Sequence, residues 1–391
     1  MPSTNAHEPI SVLLISNYAP DQQRSMLRFA ELLASGLKSK GVDIEVYEPP
    51  VIFGKLGAKP SGLGKWIGYI DKYLIFPFLL RKKLRSNSKP DIVHICDHSN
   101  SIYSETLKGV PHLVTCHDIL AIRAARGEFP NLRIGWSGKL QQQWILNGLS
   151  KSNFIVNVSA ATRNDVETLL GPSKACNTII PNALEACFLE NDQNEEPQTS
   201  PFNTATRYLL HVGSNAWYKN RSAVLELFKQ LAAEDTHLCL VLVGPELTQT
   251  ELSKFGANKR AARIHVLNGL SDTQLKSLYQ NAELLLFPSI IEGFGWPIIE
   301  AQACGCPVAT LDKSPMNELN VIEELLLPAP DETDDWASEA AAQCRAVLQA
   351  TPDERANLVA PLTSFTQQFA LEGICEQYLE LYHSILKAET E

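Results

Sequence analysis

Apolar and polar positions along this chain follow two alternating periods. Short runs rich in Val, Ile and Leu occur at Ser11–Ser16, Val42–Tyr47, Asp91–Cys96, His112–Cys116, Phe154–Val158 and Thr178–Pro181. They are too continuous for strands with one wet face, so they predict parallel strands covered on both sides. Helical stretches, Gln22–Lys40, Gln141–Ser150 and Ala160–Leu170, fall between them. That alternation predicts an α/β fold with a doubly wound sheet. The series then starts over, with strands expected at Tyr208–Val212, Leu238–Val243, Ile264–Leu267, Leu284–Phe287 and Val308–Leu311. A helix over Asp272–Ala282 has Ser271 as N-cap and Gln274 three positions on, the spacing of a capping box. A helix over Leu371–Lys387 sets Ile374, Tyr378, Leu381, Tyr382 and Ile385 on one face.

Between the two series, 190–206 reads ENDQNEEPQTSPFNTAT: polar, with two prolines, the composition of a linker. The expected organisation is one Rossmann-like domain at 1–189, a linker at 190–206, a second such domain at 207–365 and a C-terminal helix at 366–391. A length of 391 residues suits two cores better than one.

Composition removes several function classes. The chain is 45% hydrophobic and 20% charged with a net charge of −10, which argues against a general nucleic-acid surface. No run approaches the roughly 18 apolar residues of a spanning helix. Nine cysteines lack paired spacing and Met1–Pro9 has no apolar core, so a reducing, cytoplasmic setting is expected. Cys304 and Cys306 have no second pair at metal spacing, and packing is the better reading. His94, Asp97 and His98 alternate about a strand end and do not make a convincing metal site.

The chemistry concentrates in Ser289–Pro307, SIIEGFGWPIIEAQACGCP. The segment directly follows a strand, where open α/β sheets bind ligands. Pro297 suits the start of a helix and Gly305 its stop. The turn Gly293-Phe294-Gly295-Trp296 therefore carries backbone N–H groups to a helix N-terminus, a place that favours an anion such as a pyrophosphate. Glu292 precedes the turn and Glu300 lies one helical turn beyond it. Carboxylates there can accept hydrogen bonds from the hydroxyls of a sugar and a ribose. Taken singly, each Glu reads more simply as a solvated residue; flanking a Gly-rich turn at a strand end changes that balance.

E-G-F-G-x-P-x-x-E-A followed by C-G-x-P-V resembles the E-x7-E signature of the family 4 retaining glycosyltransferases. The resemblance implies a GT-B fold, with two Rossmann-like doubly wound domains facing a cleft and the C-terminal helix crossing back to the first. It implies that Glu292 contacts the donor sugar and Glu300 the ribose. His211-Val-Gly213-Ser214, followed by Lys219-Asn220, resembles the opening of the family's C-terminal domain, where a basic pair meets the donor phosphates. Tyr218 stands where an arginine is usual; Arg221 either compensates or points to water. Val266–Ser271, with Asn268, Gly269 and Leu270, resembles the segment whose backbone contacts the base, and Gly244-Pro245-Glu246 matches a turn of the same domain. Thr115-Cys116-His117-Asp118 resembles the strand-end H-D whose histidine contacts the sugar near the reaction centre. Asn182-Ala183 departs from the family's Asn-Gly, and Ser16–Arg24 lacks its usual glycine pair. The likeness is strong over Tyr208–Pro328 and only architectural before Asp91.

The implied reaction moves a sugar from a nucleotide-sugar donor, held by the second domain, to an acceptor of unidentified class (glycan, lipid or small molecule) entering from the first. Anomeric configuration is retained, and the leaving phosphate takes the acceptor's proton. His117 and Glu292 are the expected catalytic residues. The chain has no D-x-D triplet, so no metal and no cofactor are expected. A sugar-nucleotide epimerase and a non-catalytic nucleotide-sugar-binding module are the rival readings; a dehydrogenase is weaker, because no G-x-G-x-x-G follows the first strand. Lys65–Arg85, KWIGYIDKYLIFPFLLRKKLR, combines aromatics with a basic end. A packing helix broken near Pro77 fits the domain pattern better, and an interfacial helix touching anionic lipid as a peripheral contact is the other reading.

Overall fold

The structure, a computed structural model, describes residues 10–56, 63–86, 89–129, 132–171, 176–190, 206–253, 263–330 and 335–388. The expected linker at 190–206 lies almost wholly outside these. The chain forms two compact units, Met1–Ala183 with Leu371–Glu391, and Leu184–Ala370.

The first unit holds β1 (Ser11–Ile15), β2 (Asp43–Tyr47), β3 (Ile92–Ile95), β4 (His112–Cys116), β5 (Phe154–Asn157) and β6 (Cys176–Ile179). All are parallel, in the order β2-β1-β3-β4-β5-β6. The interior strands β3 and β4 are buried at every position, as their unbroken apolar patterns require. Helix Leu371–Ala388 packs on helix Arg24–Ser39 of this unit. The approach is close: a Cβ on Gly36 would stand 2.5 Å from Cys375 Sγ. The same helix completes a buried polar chain, since His94 bonds Tyr382 Oη at 2.7 Å through Nδ1 and Thr115 Oγ1 at 2.7 Å through Nε2. Thr115 in turn meets Tyr378 Oη at 3.2 Å. Burial, reinforced by His117, pushes His94 down to about 3.

The expected break at Pro77 does not occur. Helix Leu63–Ile70 runs through one π-helical turn, Asp71–Ile75, into helix Phe76–Leu84. In the wider register, Pro77 would owe an N–H to the carbonyl of Lys72; the hydroxyl of Tyr103 donates to that oxygen instead, at 3.0 Å. The side chain at the start of the π turn, Asp71, is fully buried and accepts from Ile52 N at 3.1 Å, Phe53 N at 3.0 Å, Gly54 N at 2.9 Å and Tyr18 Oη at 2.8 Å. These bonds outweigh the burial that would raise it and hold its carboxyl below the usual range.

The second unit holds β7 (Tyr208–Val212), β8 (Cys239–Val243), β9 (Ile264–Leu267), β10 (Leu284–Phe287), β11 (Val308–Leu311) and β12 (Leu326–Leu327), again all parallel, in the order β12-β11-β10-β7-β8-β9. β12 escapes sequence reading because it is only two residues long. The capping box at Ser271 and Gln274 forms as its spacing predicts. Leucines of the sheet and of helix Arg221–Glu234, with Trp336, Ala340, Ala341, Cys344 and Val347 of helix Trp336–Leu348, make the core.

Candidate active site

In an open parallel sheet the ligand crevice lies where the strand order reverses. In the second unit this point falls between β7 and β10, because β8 and β9 extend from one side of β7 and β11 and β12 from the far side of β10. Lys219 lies in the loop after β7 and Glu292 in the loop after β10. Lys219 Nζ stands 2.7 Å from Glu292 Oε1, with both side chains mostly buried. Asn220, at φ +51°, takes the left-handed conformation that an Asn tolerates better than most residues, and its Nδ2 donates to Pro288 O at 3.1 Å. Ile290 N donates to Tyr218 O at 2.8 Å. One side-chain and one backbone bond thus tie the two loops together beside the ion pair. The ammonium also sits 5.0 Å from the Phe287 ring centre and 5.7 Å from that of Tyr218. Tyr218, the departure from the family's basic pair, therefore offers an aromatic face where a second cation is usual.

Neighbouring loops press backbone against backbone. Gly213 N donates to Val243 O at 3.0 Å, and a Cβ on Gly244 (φ +150°) would lie 2.1 Å from Gly213 O. His211 is buried under this loop; its Nδ1 is 2.9 Å from Leu286 O, so that nitrogen carries the proton. Nε2, on the side of Gly213, finds no hydrogen-bond partner among the described residues. Burial, with Lys219 and Arg221 adding to it, pushes His211 down to about 4. Arg221 does not point to water. It is buried, donating to Asn215 Oδ1 and, at 2.7 Å, to Pro245 O, with Glu251 at 3.5 Å. It braces the loops beside Ser214.

Helix Trp296–Ala303 begins one residue before the expected start at Pro297, with Gly295 at φ +122° as its cap and Gly305 at φ +75° beyond its end. Phe294 is buried, its ring centre 5.9 Å from that of Phe369. Glu300 is no solvated helix residue: it is 2% exposed and accepts from Tyr279 Oη at 3.0 Å. Burial and that carboxylate push the Tyr279 phenol well up. Asn268, Gly269 (φ +67°) and Leu270 follow β9, at the opposite edge of the sheet from β12. Ser289 is fully buried, and its Oγ has no hydrogen-bond partner among the described residues. No local pattern marks Ser289 or Tyr279 as a site group, and His211 stands out only within its motif.

The first unit has its own reversal, between β1 and β3. Asn17, after β1, donates to Asp97 Oδ2, after β3, at 2.6 Å. Asn100 Nδ2 donates to Asn17 Oδ1 at 3.0 Å, and His98 Nδ1 lies 3.0 Å from Asp97 Oδ1. Burial alone would raise the Asp97 carboxyl, but His98, His117 and Ser99 hold it well below the usual range. His117, at the end of β4, is 5% exposed. Its Nε2 lies 3.0 Å from Cys96 O, which places the proton there, and Nδ1 has no hydrogen-bond partner among the described residues. Burial pushes His117 down, against the pull of Asp97. His94 does not join the Asp97–His98 pair, since both its ring nitrogens are spent on Tyr382 and Thr115, and no group of three or more His, Cys, Asp or Glu among the described residues is placed to hold a metal.

Two family models match in succession: "Glycosyltransferase Family 4" over 26–186 and "Glycosyl transferases group 1" over 192–341. The chain is 23% identical over 353 residues to the O-antigen chain mannosyltransferase B of Escherichia coli, covering 85% of this chain and 86% of that protein. It is 27% identical over 258 residues to a glycogen synthase of Mycobacterium tuberculosis, covering 63% of this chain and 58% of that one. Among solved structures, sucrose-phosphate synthase from Thermosynechococcus elongatus superposes with a TM-score of 0.72 at 17% identity, covering 98% of this chain and 100% of that chain. Anabaena HepE in complex with UDP and glucose gives a TM-score of 0.66 at 16% identity over 96% of this chain and 100% of that chain. Matched by these families across both halves, and sharing the fold of such enzymes, the chain belongs to the family 4 glycosyltransferases of the GT-B fold.

Proposed function

We propose that this glycosyltransferase binds the diphosphate of a nucleotide-sugar donor at the β7–β10 reversal, with Lys219 and the amides of Gly293–Trp296 as its anion site. The observation that carries this reading is the Lys219–Glu292 pair, at 2.7 Å in a largely buried crevice. It sets a cation where a diphosphate needs one and a carboxylate where sugar hydroxyls need an acceptor. Glu300 accepts from the ribose hydroxyls, in competition with Tyr279. Gly213, Ser214 and Asn220 shape the floor, and Asn268–Leu270 meet the base through their backbone.

In the transfer step the bond from the anomeric carbon to the diphosphate oxygen breaks and a bond to the acceptor oxygen forms. The acceptor's proton passes to the leaving phosphate, on the same face, so configuration is retained. Lys219 and the turn amides stabilise the charge that develops on the diphosphate, the kind of term that dominates such catalysis. Glu292 positions the sugar. His117, with a neutral ring and an unshared Nδ1 lone pair, accepts a hydroxyl of the transferred sugar. The reaction needs no metal or cofactor, and the protein works in the cytoplasm with a peripheral membrane contact through 65–85.

The test is a panel of nucleotide sugars, incubated with and without acceptors from cell extract, with nucleoside diphosphate release as the readout. Acceptor-dependent release is expected. Isomerised donor without release would replace this reading with epimerisation, and binding without turnover would replace it with a binding module.

A further inference from the structure

The first unit exposes large apolar side chains on two adjoining helical segments. Ile70, Leu74 and Phe78 stand four residues apart on the run 63–84, with Leu74 69% and Phe78 66% exposed. Trp136, Leu140 and Trp144 stand four apart on Trp136–Leu149, with Trp136 77% and Leu140 64% exposed. Such spacing lines up side chains along one face of a helix. The segments touch: the Tyr73 and Trp144 ring centres are 5.3 Å apart, and Gln141 Nε2 donates to Tyr73 Oη at 2.7 Å. Ile52 and Phe53, also exposed, are pinned to the π turn by their backbone bonds to Asp71. A concentration of exposed apolar groups like this marks an interaction surface.

Charge selects the partner. In a chain of net charge −10, the stretches 63–86 and 132–149 contain a single carboxylate, Asp71, and it is fully buried. Arg81, Lys82 and Arg85 are exposed within and just past the end of the first segment, and Arg133 and Lys139 are exposed beside Trp136. Asp21 and Glu45, exposed carboxylates facing the first segment, are each tied to one of its lysines, Lys72 and Lys83, at 2.5 Å, so the aromatic and aliphatic side chains keep a surplus of cations at their border and match the headgroup region of an anionic bilayer. No helix of the described residues is long and apolar enough to cross a membrane, so the contact is superficial.

We infer that this two-helix face, and not 65–85 alone, docks the first unit on an anionic lipid surface, with Leu74, Phe78, Trp136 and Leu140 entering the interface. The inference extends the peripheral contact proposed above. The experiment is flotation of the full chain with vesicles of phosphatidylcholine alone or mixed with phosphatidylglycerol, beside a Phe78→Ser/Trp136→Ser variant and an Arg81→Gln/Lys82→Gln/Arg85→Gln variant. Circular dichroism confirms that each is folded. The parent floats with the anionic vesicles only. The apolar variant loses binding by about tenfold or more, and the charge variant by about fivefold for each charge removed.

Flotation with neither vesicle, or variants that float as the parent does, would overturn the inference. So would a concentration-dependent dimer in sedimentation that the apolar variant dissolves, since the face would then belong to a second copy. Diphosphate release is read in the same samples. A protein that floats but never turns over leaves this inference standing and removes the transfer reading; one that turns over but never floats does the reverse.

Discussion

Lys219 and Glu292, 73 residues apart in sequence, meet at 2.7 Å across the strand-order reversal of the second unit. Each is the strongest partner the other has there, so a bound donor must recruit both from an existing bond. Lys219→Ala removes a charge-assisted contact to the diphosphate, about 1.5–3 kcal/mol, and raises the donor KM by roughly 10- to 100-fold. Glu292→Ala lowers kcat by about a hundredfold or more while the fold persists. Steady-state diphosphate release measures both. An unchanged rate for Glu292→Ala would remove that residue from the site.

Glu300 gives a different signature. If its carboxylate reads ribose hydroxyls, Glu300→Gln lowers the preference for a ribonucleotide over a 2′-deoxyribonucleotide donor by about tenfold, the equivalent of roughly 1.4 kcal/mol. Tyr279→Phe leaves that preference in place and alters donor affinity only modestly, since it removes the competing donor to the same oxygen. Competition binding with paired nucleotides reads both variants; equal discrimination in parent and Glu300→Gln would place the ribose elsewhere.

Acid stability follows from the buried imidazoles. His94 and His211 titrate at about 3 and about 4 in the folded protein, chiefly because burial disfavours the charged ring. In the unfolded chain each takes a proton near pH 6.5. Between those values the unfolded state binds more protons, so stability is full above about pH 6.5 and falls as the pH drops towards 4. His211→Asn keeps a donor for Leu286 O without a titrating ring. Its thermal midpoint should fall less between about pH 7.5 and 4.5 than the parent's, by a few degrees. An identical fall in both proteins would count against the assignment.

Asp71 anchors residues 52–54 and Tyr18. Asp71→Ala strands three backbone N–H groups and costs about 1–3 kcal/mol for each that water fails to reach. Tyr18→Phe removes one hydroxyl and costs about 1 kcal/mol. Denaturant unfolding should rank the two in that order; the reverse ranking would mean that the carboxylate is dispensable.

Metal independence is directly testable. Extensive dialysis against a chelator, followed by assay in chelator, should leave diphosphate release unchanged, and loss restored by a divalent cation would refute it.

The helix start at Gly295–Pro297, the capping box at Ser271 and most strand positions were legible because each is written within a few consecutive residues. The Glu292–Glu300 spacing was legible for the same reason, and its match to a family extended it to Lys219 and His117. What the sequence hid depends on residues brought together from afar. Arg221 reads as either a compensating cation or a solvated helix-start residue until Asn215 and Pro245 close over it. Nothing local marks the role of Asp71, because its partners lie 17 to 53 residues away. The carbonyl of Lys72, which Pro77 cannot serve, is met by the hydroxyl of Tyr103, a partner that no local pattern announces. The atypical loop after β1 is likewise explained only by Asn17, which a buried network with Asp97 and Asn100 holds in place.

Helix Leu371–Ala388 is translated after both sheets, yet it supplies the hydroxyls that His94 and Thr115 require. A ribosome delivering this chain therefore makes the whole second unit while the first still lacks those partners. The order of synthesis and the order of completion are opposite, so the first unit reaches its final packing only once the helix that closes it has left the exit tunnel.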